Sequence, residues 1–322
     1  MVSDQPQTFT RYLASKRTVD DRALNAHVWQ RFAHTVRRFN DDRSAPVRML
    51  ELGAGIGTMI ERLLAAGLLH NAEYIAIDAS AENIELAAER LRQQAAADGR
   101  SAAVAPHAPG TGPAYAIELA PDRASTVRLM TADAFDYLAG KAAAVDVLLA
   151  HAFLDLVNLP RILEAIRPAL APDALLYFTI NFDGATILEP TIDPALDELI
   201  ERLYHATMDS RLVDGRNSGD SRTGRHLYHS LLNAGYEVLA AGASDWVVGP
   251  MPDGYPDDEA FFLHFIVDTI AGALEDNPAL DRAVFAQWIT ERHRQIDQHR
   301  LVFIAHQLDY LARPRAQRGA PA

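Results

Sequence analysis

Met49-Leu50-Glu51-Leu52-Gly53-Ala54-Gly55-Ile56-Gly57-Thr58-Met59-Ile60 is the stretch whose reading decides the fold. A short apolar run is followed by three alternate glycines, and then by apolar residues at helical spacing. The spacing predicts a strand over 47–52 and a helix over 58–66 that is closed by Gly67. Glycines between them let the backbone turn sharply and let a ligand come close to it. A strand, a glycine turn and a helix in that order place the turn at the carboxyl edge of a sheet, where nucleotide-like ligands bind. The spacing also narrows the ligand. A dinucleotide turn reads G-x-G-x-x-G, with the helix N-terminus facing a pyrophosphate. Here the pattern is acidic-x-G-x-G-x-G, and the phosphate spacing is not met.

Outward from this turn, further strands are predicted over 73–78, 127–131, 145–150 and 175–181, with helices over 82–97 and 159–170. Strand and helix alternate five times, which implies right-handed crossovers and a mainly parallel sheet with helices on both faces. The central strands are almost wholly apolar, as strands covered on both faces must be. One amphipathic helix is predicted before the first strand, over 19–39. An insertion rich in Ala, Pro and Gly occupies 98–123, with a candidate hairpin around 115–119. Past residue 181 the rhythm changes. Helices are expected over 194–208, 224–234, 257–274 and 279–298, strands over 236–241, 246–248 and 301–311, and a disordered tail from Arg313. The expected architecture is an α/β, Rossmann-like, doubly wound, mainly parallel seven-stranded sheet with helical cap insertions. It divides into an N-terminal helical cap (1–44), a core (45–182) and the rest of the sheet (183–322) with substrate-covering inserts at 183–223 and 249–300.

Composition bounds the function. Of the 322 residues, 49% are hydrophobic and 23% charged, an ordinary soluble globular balance. The formal net charge of −13 repels phosphate backbones and argues against a nucleic-acid partner. The chain has no cysteine, which removes disulfides and thiolate metal sites and fits a reducing cytoplasm. The first ten residues are polar, unlike a signal peptide. No apolar run approaches the roughly 20 residues of a membrane helix. His226 and His229, three apart, specify no metal site without further ligands. The sequence leaves monomer and homodimer equally open.

The glycine turn and the strand ends after it resemble class I S-adenosylmethionine (SAM) dependent methyltransferases of the small-molecule type. The resemblance covers about residues 45–182 and fades beyond. It implies SAM as cofactor, a ligand without phosphate beside which Glu51 is tolerated. It implies a cofactor site built from Glu51, Gly53, Ala54, Gly55 and Gly57, from Asp78 and Ala79 at the end of the second strand, and from Asp133 and Ala134 after the third. Asp78 would accept the ribose hydroxyls, and Asp133 would lie by the adenine. His151 follows the fourth strand, beside the methyl donor. A helix before the first strand closes over the cofactor in many such enzymes, and Tyr12, Lys16 or Arg17 could grip the methionine carboxylate.

An oxygen or nitrogen acceptor needs its proton removed. His151 is the first base candidate, with Asp155 four residues on and Phe153 between them; Asn181 is a second polar group at that edge. The segment 211–225 concentrates four arginines in an acidic chain. It reads as a lid whose Arg222 and Arg225 bind an anionic group of the substrate. The expected activity is methyl transfer from SAM to a small or medium organic acceptor that can be anionic. Two alternatives stand beside it: a SAM-binding fold member that transfers no methyl, and a protein or RNA methyltransferase. The motif Asn-Pro-Pro-Tyr of amino-nitrogen methylation is absent, since His151-Ala152-Phe153-Leu154 follows the fourth strand.

Overall fold

The chain opens with α1 (Pro6–Ser15), α2 (Arg17–Ala23) and α3 (Ala26–Asp42) in a computed structural model that describes residues 6–97, 104–106, 114–120, 125–142, 144–213 and 215–315. Expectations for the first five residues, for much of the 98–123 insertion and for the tail past 315 lie outside the described residues. The single helix expected over 19–39 is two helices. The Asn25 side chain accepts from His27 N and Val28 N, so it caps α3 where a continuous helix would have run.

Next come β1 (Val47–Leu52), α4 (Thr58–Ala65), β2 (Ala72–Asp78), α5 (Ala81–Ala97), β3 (Val104–Pro106), β4 (Ala114–Ala120) and β5 (Ser125–Thr131). They are followed by α6 (Ala134–Leu138), β6 (Val145–His151), a 3-10 turn (Leu154–Leu156), α7 (Leu159–Ile166) and β7 (Leu170–Glu189). The second half holds α8 (Pro194–Asp209), β8 (Leu212–Val213), β9 (Arg216–Asn217), α9 (Thr223–Asn233) and β10 (Tyr236–Ala243). It ends with β11 (Trp246–Val248), α10 (Glu259–Leu274), α11 (Arg282–Asp297) and β12 (Val302–Pro314).

The strands run in the order β10-β12-β7-β6-β1-β2-β5-β4-β3, with β11 on β12. From β5 to β7 every pairing is parallel, and β12 lies antiparallel between β7 and β10. These seven are the expected doubly wound sheet. The insertion adds β4 and β3 at one edge. Side chains alternate across the sheet. Met49, Leu149 and Tyr177 face α3, α4 and α5 through Val28, Phe32, Met59 and Ile84. Leu50, Leu148 and Phe178 face α7 and α9 through Ile162, Leu163, Leu227 and Leu231.

The sheet does not stop where the sequence suggested. A break was expected after Asn181, but β7 continues to Glu189, with Phe303, Ile304 and Ala305 of β12 opposite Leu188, Ile187 and Thr186. Paired β-branched residues make a strand where a loop was expected. This projecting ribbon carries a third core. Phe182, Trp246, Val248 and Phe303 pack against Val19 of α2, Ile200 of α8, Phe262, Ile266 and Ile270 of α10, and Trp288 of α11. Each such buried side chain contributes about 2 kcal/mol relative to exposure. The segment before β1 therefore serves two layers from Pro6 on: α3 belongs to the sheet, while α1 and α2 belong to the cap. No helix among the described residues is long and apolar enough to cross a membrane.

Candidate functional site

The glycine turn sits at the carboxyl end of β1 with Gly53, Gly55 and Gly57 at φ of 68°, 53° and 82°. A Cβ on Gly53 would stand 2.4 Å from the Phe153 ring, so a side chain is excluded on space as well as on conformation. At Gly55 the nearest group is Leu13 of α1, 3.8 Å from where a Cβ would lie. The turn is thus covered from two sides, by α1 and by the segment after β6. Ala54 N–H donates to Ile77 O at 2.9 Å, which seats the turn on β2.

Asp78, at the end of β2, holds that geometry. Its Oδ2 accepts from Gly55 N at 2.8 Å, and its Oδ1 from Ser80 N and Asn83 Nδ2 at 2.9 and 3.1 Å. A carboxylate has about four acceptor positions, so these contacts leave capacity for a ligand hydroxyl. Ala79 beside it is exposed. Asp133 is the N-cap of α6, accepting from Phe135 N and Asp136 N at 2.8 and 3.1 Å, and remains exposed. Ala134 is buried as the first residue of that helix. Ala132 N–H bonds Asp78 O at 2.9 Å, so the ends of β2 and β5 lie side by side.

Several expected contacts are redirected. Glu51 lies beneath the turn, 1% exposed, and accepts from Tyr74 OH at 2.7 Å. Burial pushes its carboxyl up to about 8, against the opposing pull of that hydrogen bond. It shapes the floor and does not open toward a ligand. Arg17 points to the surface of α2, 3.2 Å from Glu61 and 3.8 Å from Asp21, and is not placed to grip a cofactor carboxylate. Tyr12 is an aromatic element of the cap, with its ring 4.1 Å from Phe265 and 5.8 Å from Phe262 between centroids.

His151, the first base candidate, is bound on both nitrogens. Nδ1 lies 2.7 Å from Thr179 Oγ1, and Nε2 lies 3.1 Å from Asp20 Oδ2 and 3.3 Å from Arg62 Nη1. Burial holds the imidazole down at about 4, with Asp20 pulling the other way, so it is neutral at pH 7. A neutral ring that donates from Nε2 and accepts at Nδ1 has no free lone pair. Its partner was not legible in the sequence. Asp20 is 1% exposed and takes Lys16 Nζ at 3.0 Å and Trp246 Nε1 at 2.9 Å as well. Burial alone would raise the Asp20 carboxyl, but Lys16, His151 and Arg62 hold it well below the carboxylate range. An isolated Asp inside a helix resembles any solvated residue, and only the fold brings these four cations and donors around it.

Asp155 is different. It sits in the 3-10 turn after β6, two residues from Phe153, and its Oδ1 is buried without a hydrogen-bond partner. Burial pushes its carboxyl above the ordinary range, against the pull of its own backbone N–H and of Lys16 and Arg211. Tyr204 of α8 feels the same Asp155 and Arg211, and burial pushes its phenol up to about 12. Tyr204 also lines a cavity of about 170 Å³ beneath the cap, with Thr186, Glu201, Trp288 and Arg292.

The arginine-rich segment folds as the β8–β9 ribbon and docks on this turn. Ser218 Oγ donates to Leu156 O at 2.7 Å, and Ser218 N to Arg211 O at 2.9 Å. Of the two arginines singled out in the sequence, Arg225 is committed to the fold: Nε meets Asp183 Oδ1 at 2.8 Å and Nη2 meets Asp183 O at 2.7 Å. Arg222 is an exposed N-cap of α9. Asn181, expected at the substrate, is 0% exposed, and its Nδ2 donates to Leu308 O of β12 at 2.8 Å. The antiparallel strand that covers it is the reason, since a neighbouring β12 is invisible at residue 181.

A parallel sheet of this strand order, with a glycine turn closing β1 and a carboxylate closing β2, is a Rossmann-like α/β fold. Residues 50–176 match the family described as Methyltransferase domain. No curated protein matches the chain. Among solved structures, it is similar to a SAM-dependent methyltransferase from Thiobacillus denitrificans in complex with S-adenosylhomocysteine (SAH): 15% identity over 91% of this chain and 93% of that one, TM-score 0.44. It is likewise similar to a SAM-dependent methyltransferase from Geobacter sulfurreducens in complex with SAH: 16% identity over 98% and 100% of the two chains, TM-score 0.44.

Proposed function

We propose that the protein transfers the methyl group of SAM to a small organic acceptor bound between the 3-10 turn and the cap. The observation that carries this reading is Asp155, two residues after the Phe153 that packs on the glycine turn, whose Oδ1 is buried without a hydrogen-bond partner. Such a group is costly to keep, and is retained where it meets a ligand.

The residues present suit the cofactor. The three glycines leave the turn free of side chains, and the Asp78 carboxylate keeps acceptor capacity for ribose hydroxyls. Arg62 Nη2 is buried without a hydrogen-bond partner, and a cofactor carboxylate would supply one. Asp133 and Ala79 border the expected adenine end. When bound, SAM supplies a methyl group on a sulfonium, the acceptor's electron pair forms the new bond, and the donor's sulfur keeps the pair of the broken one. The chain's own part is to bind, orient and desolvate. Asp155 takes the acceptor's proton, and burial raises its affinity for one. Phe153 and Tyr12 wall the reacting region, and the cap cores exclude water. His151 positions the end of β6 through Thr179 and Asp20. A cytoplasmic setting is part of the proposal, supported by the absence of cysteine from the chain.

The test is calorimetric titration with SAM, SAH and NAD, followed by SAH-release assays over small-molecule acceptors. SAM and SAH should bind and NAD should not. Asp155→Asn should lower kcat by about 100-fold or more with little change in SAM affinity. Wild-type turnover in Asp155→Asn, or binding of NAD in place of SAM, would overturn the reading.

A further inference from the structure

Arg211 is the arginine of the lid segment that the fold brings to Asp155. The ribbon after it turns through Gly219, at φ of 102°. A Cβ placed there would stand 2.9 Å from Asp155 O and 3.5 Å from Arg211 Nη1, so both residues flank one point. Ser218 anchors the two ends of this arrangement, holding Arg211 O through its N–H and Leu156 O through its hydroxyl. Yet the two charges do not pair. Among the described residues Arg211 makes no side-chain hydrogen bond or ion pair, whereas Arg225 and Arg292 are each bound to a carboxylate. Asp155 Oδ1 has no partner either. Among the described residues neither the Tyr12 nor the Tyr204 hydroxyl has a hydrogen-bond partner, and both feel the charge of Asp155.

Opposite charges held close but left apart is a specific arrangement. A guanidinium and a carboxylate free to meet would form a bidentate pair. Left unpaired, they match a ligand that carries the complement of both: an anionic group for Arg211 and a proton-bearing nucleophile for Asp155.

We infer that the acceptor is a small amino or hydroxy acid, whose carboxylate is clamped by Arg211 while Asp155 faces its amine or hydroxyl. This rests on the methyltransferase reading above and deepens it. The planar fork of arginine fits a carboxylate in two parallel hydrogen bonds, and that fixes the direction of the nucleophile as well as its affinity. Tyr12 and Tyr204 offer hydroxyls to the rest of the ligand.

The experiment pairs acids with their primary amides. Amino acids, hydroxy acids, and ortho-hydroxy and ortho-amino benzoates, each with its amide, are offered to SAH-loaded protein in saturation-transfer NMR, and to SAM-loaded protein with SAH release as readout. The acids should bind, and at least one should be methylated with a kcat/KM about 10- to 100-fold above its amide. Arg211→Ala should erase that ratio by raising the KM of the acid, and Arg211→Lys should restore part of it. Binding of SAH with no acid preferred over its amide overturns the inference, as does an Arg211→Ala protein that keeps the ratio. Failure of SAH itself to bind overturns the donor reading beneath it.

Discussion

Glu51 shows how a motif residue can be kept for structure at a measurable cost. Its folded-state affinity for a proton is set by burial at about 8, whereas an unfolded carboxyl titrates near 4.5. Because the folded value is the higher one, the contribution of Glu51 to stability is fullest below pH 4.5 and is lost as the pH rises to 8. Glu51→Gln keeps an oxygen for Tyr74 OH and removes the titration. It should raise Tm at pH 7–8 by several degrees and change little at pH 4–5, as thermal unfolding across that range would record. A variant less stable at pH 8 would mean that Glu51 is ionised in the folded protein. Asp78, in contrast, was legible from its place at a strand end, since position after a parallel strand is what the local pattern encodes. Asp155 was legible only as a neighbour of His151. Its unpaired oxygen comes from burial, which no spacing encodes.

At the scale of elements, the lock between the N-terminal helices and the sheet is the main device that sequence periodicity did not disclose. Asp20 of α2 binds His151 at the end of β6, Lys16 at the start of its own helix and Trp246 of β11. These groups lie 131 and 226 positions away for His151 and Trp246. Asp20→Asn leaves Lys16 and Arg62 buried beside an uncharged amide, and loss of one member of a buried charge network costs about 3–5 kcal/mol. Denaturant unfolding should show that loss. Proteolysis should cut near 16–25 sooner than in the wild type, and SAM should bind more weakly because α1 covers the turn. Equal protease resistance in the two proteins would show that α1 and α2 are held by their apolar contacts alone. The β8–β9 ribbon belongs to the same level. Its arginines were conspicuous in the sequence, but which of them faces the site depends on docking. Asp183 claims Arg225, and the Ser218 contacts deliver Arg211.

Across the whole molecule, two cores sandwich the sheet and a third fills the cap, and the candidate site lies where the cap meets the sheet's carboxyl edge. A ligand bound there touches α1, the glycine turn and the segment after β6 together, so it should stabilise the entire chain. SAH at 100 times its Kd should add about 2.7 kcal/mol to unfolding, visible as a rise in Tm that grows with the logarithm of its concentration. A Tm indifferent to SAH would place the cofactor elsewhere or remove it. What the sequence alone determined is the local part of this design: alternating strands and helices, the turn at Gly53, Gly55 and Gly57, and the carboxylates after the strands. Each of those follows from backbone conformation and periodicity within a dozen residues. The tertiary structure alone decided the extension of β7, the burial of Glu51 and Asn181, the engagement of His151 and the isolation of Arg211 and Asp155. Those depend on which distant groups arrive next to a side chain, and on whether water is still there when they do.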